Sequence, residues 1–179
     1  DLIFNYLARY DYYLAHLHKI LITHADPDIA GNIAEIQTEI RVPIYASAET
    51  KTFLAEGQIT SAQGSQSAKF PPVNPETIIP LSDQESIPIL GGLYPFKTAG
   101  FIPGHLTFYH PITGVLFTGH LFQNQNGRLQ STAAPSTMKP PEQQASIKQL
   151  LTLCPTVFAP SHSTPLSDHT AAQLLQLTS

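Results

Sequence analysis

Lys19-Ile20-Leu21-Ile22-Thr23-His24-Ala25-Asp26-Pro27-Asp28-Ile29-Ala30-Gly31-Asn32 is the stretch on which the reading of this chain turns. Residues 19–23 form an apolar run of strand length. Residues 24–28 read as the connecting loop, and they carry one imidazole and two carboxylates at alternate positions. A strand end bearing His and Asp offers the nitrogen and oxygen ligands that divalent cations take. Behind the loop, Ile29, Ile33, Ile36 and Ile40 recur at steps of four, three and four, which is one apolar stripe of a helix. Asp28 stands at the start of that helix, where a carboxylate accepts bonds from the first free N–H groups. Capping and metal binding therefore compete as explanations of Asp28.

Outward from this stretch the elements alternate. Leu2, Ile3, Tyr6, Leu7, Tyr10, Tyr13, Leu14 and Leu17 recur at helical steps and predict a helix over 2–17. His16 and His18 at its end suit the helix dipole and need no catalytic role. Val42–Ala46 predicts a short strand, and Ala48–Glu56 a helix stopped by Gly57. Residues 58–76, rich in Gln, Ser, Gly and Pro, read as a surface loop. Strands are expected at 77–81, 86–90 and 93–97, and a hairpin at His105–His110 and Val115–Gly119 around Pro111-Ile112-Thr113-Gly114. Residues 123–140 read as a long polar loop near the mouth of a site. A helix over Pro141–Leu153, a strand at Thr156–Ala159, a loop at Pro160–Thr164 and a helix from Ser167-Asp168 complete the order. Helices alternating with strands in this way predict a layered α/β fold. Ligands gather at strand ends in open α/β sheets, and here His24, His120 and His162 all lie just past such ends.

Length and composition narrow the class. The 179 residues suit one domain spanning 1–179 with a real core. Charged residues make up 12%, about half the usual share for a soluble domain, so hydration rests on Gln, Ser, Thr and Asn. The net charge is −4 with nine scattered Lys and Arg, which argues against a nucleic-acid partner. No apolar run approaches the roughly 20 residues of a membrane span, so no membrane partner is expected. No basic leader precedes Asp1-Leu2-Ile3-Phe4, and a cytoplasmic location is the expectation. The single Cys154 excludes an internal disulfide. At the end of an apolar helix it is expected to be a buried, inert thiol. Ser161 and Ser163 flank His162 but lack the Gly-rich elbow of serine hydrolases, and Gly91-Gly92 is too little for a phosphate loop.

Three segments, in order, resemble the metallo-β-lactamase superfamily. Thr23-His24-Ala25-Asp26-Pro27-Asp28-Ile29-Ala30-Gly31 is similar to T-H-x-H-x-D-H-x-G-G. Thr98-Ala99-Gly100-Phe101-Ile102-Pro103-Gly104-His105 is similar to T-P-G-H-T-P-G-H, and it runs on to Val115-Leu116-Phe117-Thr118-Gly119-His120, similar to V-L-F-T-G-D. Val157-Phe158-Ala159-Pro160-Ser161-His162-Ser163 is similar to V-x-P-G-H-G. The resemblance implies an α/β fold, the αββα sandwich of this family. The strands that open family members are not seen before the first helix, so the sandwich is expected to be truncated at its N-terminus. An incomplete sheet would leave an edge strand, and pairing of copies into a homo-oligomer is the expected cover.

The departures bear on chemistry. By position, His24 keeps the first ligand, Asp26 stands where a His is usual, and Asp28 keeps the second-metal Asp. Ile29 replaces the last His of that motif, and Phe101 replaces a ligand His. His120 replaces the Asp that bridges two metals, and His162 keeps the final His. His105 matches a His that in the family is usually not a ligand. The metal set implied is thus His24, Asp26, Asp28, His120 and His162, holding at most one divalent metal. Zinc is the first expectation, iron or manganese the alternative, and none at all in a member that serves as a binding or assembly module. If active, such a site implies a small-molecule ester, thioester or amide as substrate, with Asp26 or Asp28 as the base towards an activated water. His24-x-Asp26-x-Asp28 also resembles the H-x-E-x-D of the flavodiiron branch, which implies a non-haem iron site that binds oxygen.

Overall fold

The computed structural model describes residues 2–59, 68–98, 100, 102–132 and 140–178. Along the chain run α1 (Leu2–Arg9), β1 (Ile20–Leu21), α2 (Pro27–Ala30), α3 (Ile33–Glu39), β2 (Ile44–Ala46) and α4 (Ala48–Glu56). There follow β3 (Gln58–Ile59), β4 (Ala68–Lys69), β5 (Ile78–Pro80), β6 (Tyr94–Lys97), β7 (Leu106–His110) and β8 (Val115–Gly119). The last elements are β9 (Phe122–Gln125), β10 (Arg128–Ser131), α5 (Pro140–Leu151), β11 (Val157–Pro160) and α6 (Thr170–Gln176). A parallel three-stranded sheet has the order β1-β2-β5, and a mixed four-stranded sheet has the order β11-β8-β7-β6.

Period-two alternation distributes the strand side chains among three cores, and these cores define four layers. Ile20 and Ile22 point from the first sheet to Ala30, Ile33 and Leu54 of the helices outside it. Leu21, between them in sequence, points the other way and packs with Leu106 and Phe108 of β7, Ile87 and Leu93. From the opposite face of the second sheet, Phe96, Leu116 and Phe158 meet Ile147 and Leu150 of α5 and Leu174 of α6. Helices, sheet, sheet, helices is the αββα order expected from the sequence. The two sheets are joined directly at one end, where Leu106 N–H donates to Thr23 O at 2.7 Å. That end carries the site.

Several local expectations hold. The β7–β8 hairpin has the expected turn, with Phe108 opposite Phe117. Helix α4 runs from the cap Ser47, whose Oγ accepts the Thr50 N–H at 3.0 Å, to Gly57 at φ +66°. A side chain at Gly57 would be strained by that φ and would put its Cβ 2.7 Å from Phe70 O.

Others need correction. The helix expected over 2–17 ends at Arg9. Asp11 takes a left-handed φ of +56°, and Leu14–His16 forms only a 3-10 turn. Tyr6, Tyr10, Tyr12 and Tyr13, part of the supposed inward stripe or adjoining it, are exposed, so little packing holds a longer helix together. The helix behind the His24 loop starts two residues earlier than expected. Asp26, not Asp28, is its cap, and Pro27 takes the first helical position. That helix breaks at Gly31-Asn32 before α3. In the segment read as a loop over 58–76, β3 pairs with β4, and Phe70 and Val73 join the core. Residues 86–90 give only a bridge, Ile87 to Leu93. Within the segment read as a loop over 123–140, β9 and β10 form an antiparallel hairpin. Cys154 is exposed rather than buried, because the chain leaves α5 through a left-handed turn at φ +48°. Among the described residues no helix is long and apolar enough to cross a membrane.

Candidate metal centre

Three strand-end segments meet where the two sheets join. His24 follows β1 and is fully buried. Its Nδ1 lies 2.9 Å from Thr23 Oγ1 and its Nε2 3.1 Å from His120 Nδ1. Asp26 caps α2, its Oδ1 accepting the Asp28 N–H at 3.1 Å, so one carboxylate oxygen is committed and the other remains for a ligand. Asp28 lies in the first turn of α2, exposed, with Oδ2 3.7 Å from His162 Nε2.

His120 is delivered by Gly119, the last residue of β8, at φ +54°. A Cβ there would lie 2.7 Å from His105 Nε2 and 3.0 Å from Thr23. Only glycine lets the strand end turn this tightly against both neighbours. His162 follows β11, whose register against β8 shifts between Ala159 and Pro160. The His120 and His162 rings meet through their Nε2 atoms, with ring centroids 4.4 Å apart. Ser161 N–H donates to Gly119 O at 3.1 Å, which ties the two loops together.

All five residues singled out in the sequence are thus brought together. They form two groups, His24–Asp26–His120 and Asp28–His120–His162, each with ligand atoms within 4.8 Å of one another. Ile29 is turned away from them and packs on the core of the first sheet. Phe101, which stands where the resemblance implies a ligand His, lies outside the described residues.

Two supporting residues escaped the sequence reading. His105 is buried, stacks on His24 at 5.0 Å between centroids, and accepts the His120 backbone N–H on Nε2 at 3.3 Å. Its Nδ1 is 2.7 Å from Thr98 Oγ1. With Nε2 accepting, the proton must sit on Nδ1 and donate to that hydroxyl. Its place seven residues after Thr98 was visible, but nothing in the spacing tied it to His120. Asn124, in β9, holds the His162 loop. Its N–H donates to Ser163 Oγ at 2.8 Å and its Nδ2 to Thr164 O at 3.2 Å. The readable trace of that hairpin was its turn, Asn126-Gly127 at φ +53° and +81°.

Electrostatics favour neutral imidazoles. Burial first, then the neighbouring imidazoles His105, His120 and His162, hold His24 far below the ordinary histidine range. Burial and His120 push His105 down to about 3. His120 is lowered by burial and His162, against the opposing pull of Asp26 and Asp28. A neutral ring keeps a lone pair for a cation. The 3.1 Å between His24 Nε2 and His120 Nδ1 is a separation that two nitrogens bound to one zinc at roughly 2.0–2.1 Å can take. Three imidazoles, two carboxylates and a hydroxyl behind His24 make a donor set that fits a divalent cation.

The four layers, with these donors at the junction of the two sheets, define an α/β protein of the metallo-β-lactamase fold. The chain belongs to the metallo-β-lactamase superfamily, whose family model matches residues 12–162. Solved structures agree on the fold. A metallo-beta-lactamase family protein from Thermus thermophilus superposes with a TM-score of 0.72 at 20% identity, over 98% of this chain and 64% of that one. An archaeal superfamily protein from Sulfolobus tokodaii gives a TM-score of 0.71 at 19% identity, over 90% and 66%. A protein crystallised in a di-iron-bound form gives 0.67 at 24%, over 91% and 78%. The chain thus spans about two thirds of the length of the first two of these relatives.

Proposed function

We propose that this chain is a metallo-hydrolase-like protein in which His24, Asp26, Asp28, His120 and His162 bind a divalent cation, zinc first, and that it cleaves an ester, thioester or amide of a small molecule. The observation that carries this reading is the convergence of ring nitrogens from three separate loops beside two carboxylates. When bound, the cation supplies Lewis acidity and an activated water near neutral pH. The protein's own groups divide the remaining work. Buried His24, kept neutral, offers its lone pair without competing for protons. Asp26 is fixed in place by its cap bond to α2. Asp28, exposed at the mouth, is placed to take the proton of an attacking water and to pass it to solvent or to the leaving group. His105 holds the His120 backbone and excludes water from beneath the site.

Elemental analysis of protein purified without added metal tests the reading. At least about half an equivalent of zinc, iron or manganese is expected to be retained, and more after reconstitution. Less than about a tenth of an equivalent, unchanged on reconstitution, would leave a binding or assembly module as the better reading. Bound iron with a visible absorption band would favour oxygen chemistry over hydrolysis. His120→Ala and His162→Ala should each lower metal content. If neither changes it, these imidazoles are remnants of descent.

A further inference from the structure

Between α1 and the outer face of β1 lies a crevice of about 240 Å³ to which none of the five donors contributes. Its walls are aliphatic: Ile3 and Leu7 of α1, Ile20 in β1 and Ile22 just after it, and Ile33 and Ile36 of α3. The polar residues that line it are Asn32, exposed, and Lys19, half-buried. Lys19 is the one charged residue among them, and within the described residues no hydrogen bond or ion pair engages its ammonium. A lysine so placed runs its methylene stem along an apolar wall and leaves its charge at the mouth. Helix α1 rests on this crevice through Ile3 and Leu7, while Tyr6 and Tyr10 are exposed. Atoms filling the space would therefore give dispersion contacts to a sparsely packed helix.

We propose that this crevice binds a medium-chain fatty acid, with the alkyl tail between α1 and β1 and the carboxylate on the Lys19 ammonium. An aliphatic slot with one unpaired cation complements a chain that ends in one anion. Volume sets the length. An apolar cavity of about 150 Å³ holds a six-carbon ring, so 240 Å³ suits a chain of roughly eight to ten carbons. The site is independent of the metal-binding reading above, since it shares no residue with the five donors. The bound tail joins α1 to β1 and α3, so the ligand should also hold the first helix in place.

Calorimetric titration of the purified protein with sodium octanoate, below its micellar range, tests this. One equivalent should bind saturably, and amide hydrogen exchange in residues 2–9 should slow. Shorter acids should bind about fourfold more weakly per methylene removed, and chains beyond ten carbons should gain nothing further. Octanol should bind severalfold more weakly than octanoate. In Lys19→Gln octanoate should fall to the level of octanol, with octanol unchanged. Leu17→Trp, which puts a ring into the crevice, should abolish binding. Treatment with a chelator should leave octanoate binding as it was. Its loss on chelation would put the carboxylate at the metal centre and overturn the crevice, with the metal-binding reading intact. Absence of saturable binding, affinity that keeps rising to hexadecanoate, or octanoate binding unchanged in Lys19→Gln would each overturn the proposal as well. Thermal melting monitors the folding of each variant. Should Leu17→Trp not fold, Lys19→Gln and the chain-length series still decide.

Discussion

On one side of His120 lie His24 and His105, with Thr98 behind His105, all buried and all bonded to fixed partners. On the other side are His162 and Asp28, more than half exposed, on a loop and on the first turn of a four-residue helix. The inner side is continuous with the packing where the two sheets join. The outer side is held chiefly by hydrogen bonds between loops. The same residue types thus sit in two environments, one in which geometry is imposed by burial and one in which it is maintained by a few polar contacts. Changes to the inner side should be felt by the whole fold, and changes to the outer side mainly by ligands.

The largest test of that contrast is acid. His105 is held near 3 and His24 lower still, mainly by burial, while in the unfolded chain both return to about 6.5. Between these values the unfolded state binds more protons than the folded one. Stability is therefore fully present above about pH 6.5 and is lost as pH falls. Each such imidazole contributes a slope of about 1.4 kcal/mol per pH unit, so the metal-free protein should lose on the order of 5 kcal/mol between pH 6.5 and 4.5. Urea midpoints across that range measure it. His105→Gln should flatten the slope by about half, and His162→Ala, which removes only a secondary cause of the low His24 and His120 values, should change it less. An equal effect of both variants would remove the distinction between the two sides.

A smaller effect is expected from two glycines. Gly119→Ala meets His105 and Thr23 and must keep φ at +54°. Backbone strain of about 1 kcal/mol and overpacking of about 1–3 kcal/mol should together destabilise the fold by about 3 kcal/mol. Gly127→Ala, at φ +81° in the β9–β10 turn, has nothing within 4 Å of the added Cβ and should lose only the strain of about 1 kcal/mol. Equal losses in chemical denaturation would mean that Gly119 is not tightly confined.

Next are the two aspartates of the opening stretch. Asp26→Ala removes the cap of α2 and should destabilise by about 1 kcal/mol. Asp28→Ala, exposed and not the cap, should stay within about 0.5 kcal/mol of wild type in stability, its effect falling instead on the outer ligands.

These pairs also explain what the sequence disclosed and what it withheld. The β7–β8 hairpin was readable because two apolar runs of strand length, Leu106–His110 and Val115–Gly119, flank a Gly-ended turn. The ligand loops were readable because each follows a strand, and the family resemblance fixed their order. The cap was misread because Asp28 adjoins the isoleucine stripe, although Pro27 at the first helical position marks Asp26 as the residue before the helix. The β9–β10 hairpin was missed because Gln123, Asn124, Gln125 and Gln130 dominate it, and only Phe122 and Leu129 reach the core. The division of the donors about His120 is a matter of which ring nitrogen faces which loop. No spacing along the chain encodes that.

The missed hairpin supplies the finest test, because it touches the outer side alone. Asn124 accepts the Gly127 N–H on Oδ1 at 2.8 Å, and its Nδ2 reaches Thr164 O and Oγ1 at 3.2 Å each. It therefore ties its own turn to the loop that carries His162. Asn124→Ala removes the side-chain bonds and keeps the backbone bond to Ser163. These contacts are exposed, so stability should fall by no more than about 1 kcal/mol. The freed loop should hold His162 less firmly. Zinc binding should then weaken severalfold, and the acid slope set by His24 and His105 should be untouched. Calorimetric titration beside a pH series of urea midpoints separates the two effects. A variant that also flattened the acid slope would show that the two sides of His120 answer to one scaffold, because the Asn124 hydrogen bonds run to its own turn and to the His162 loop and not to the buried residues behind His24.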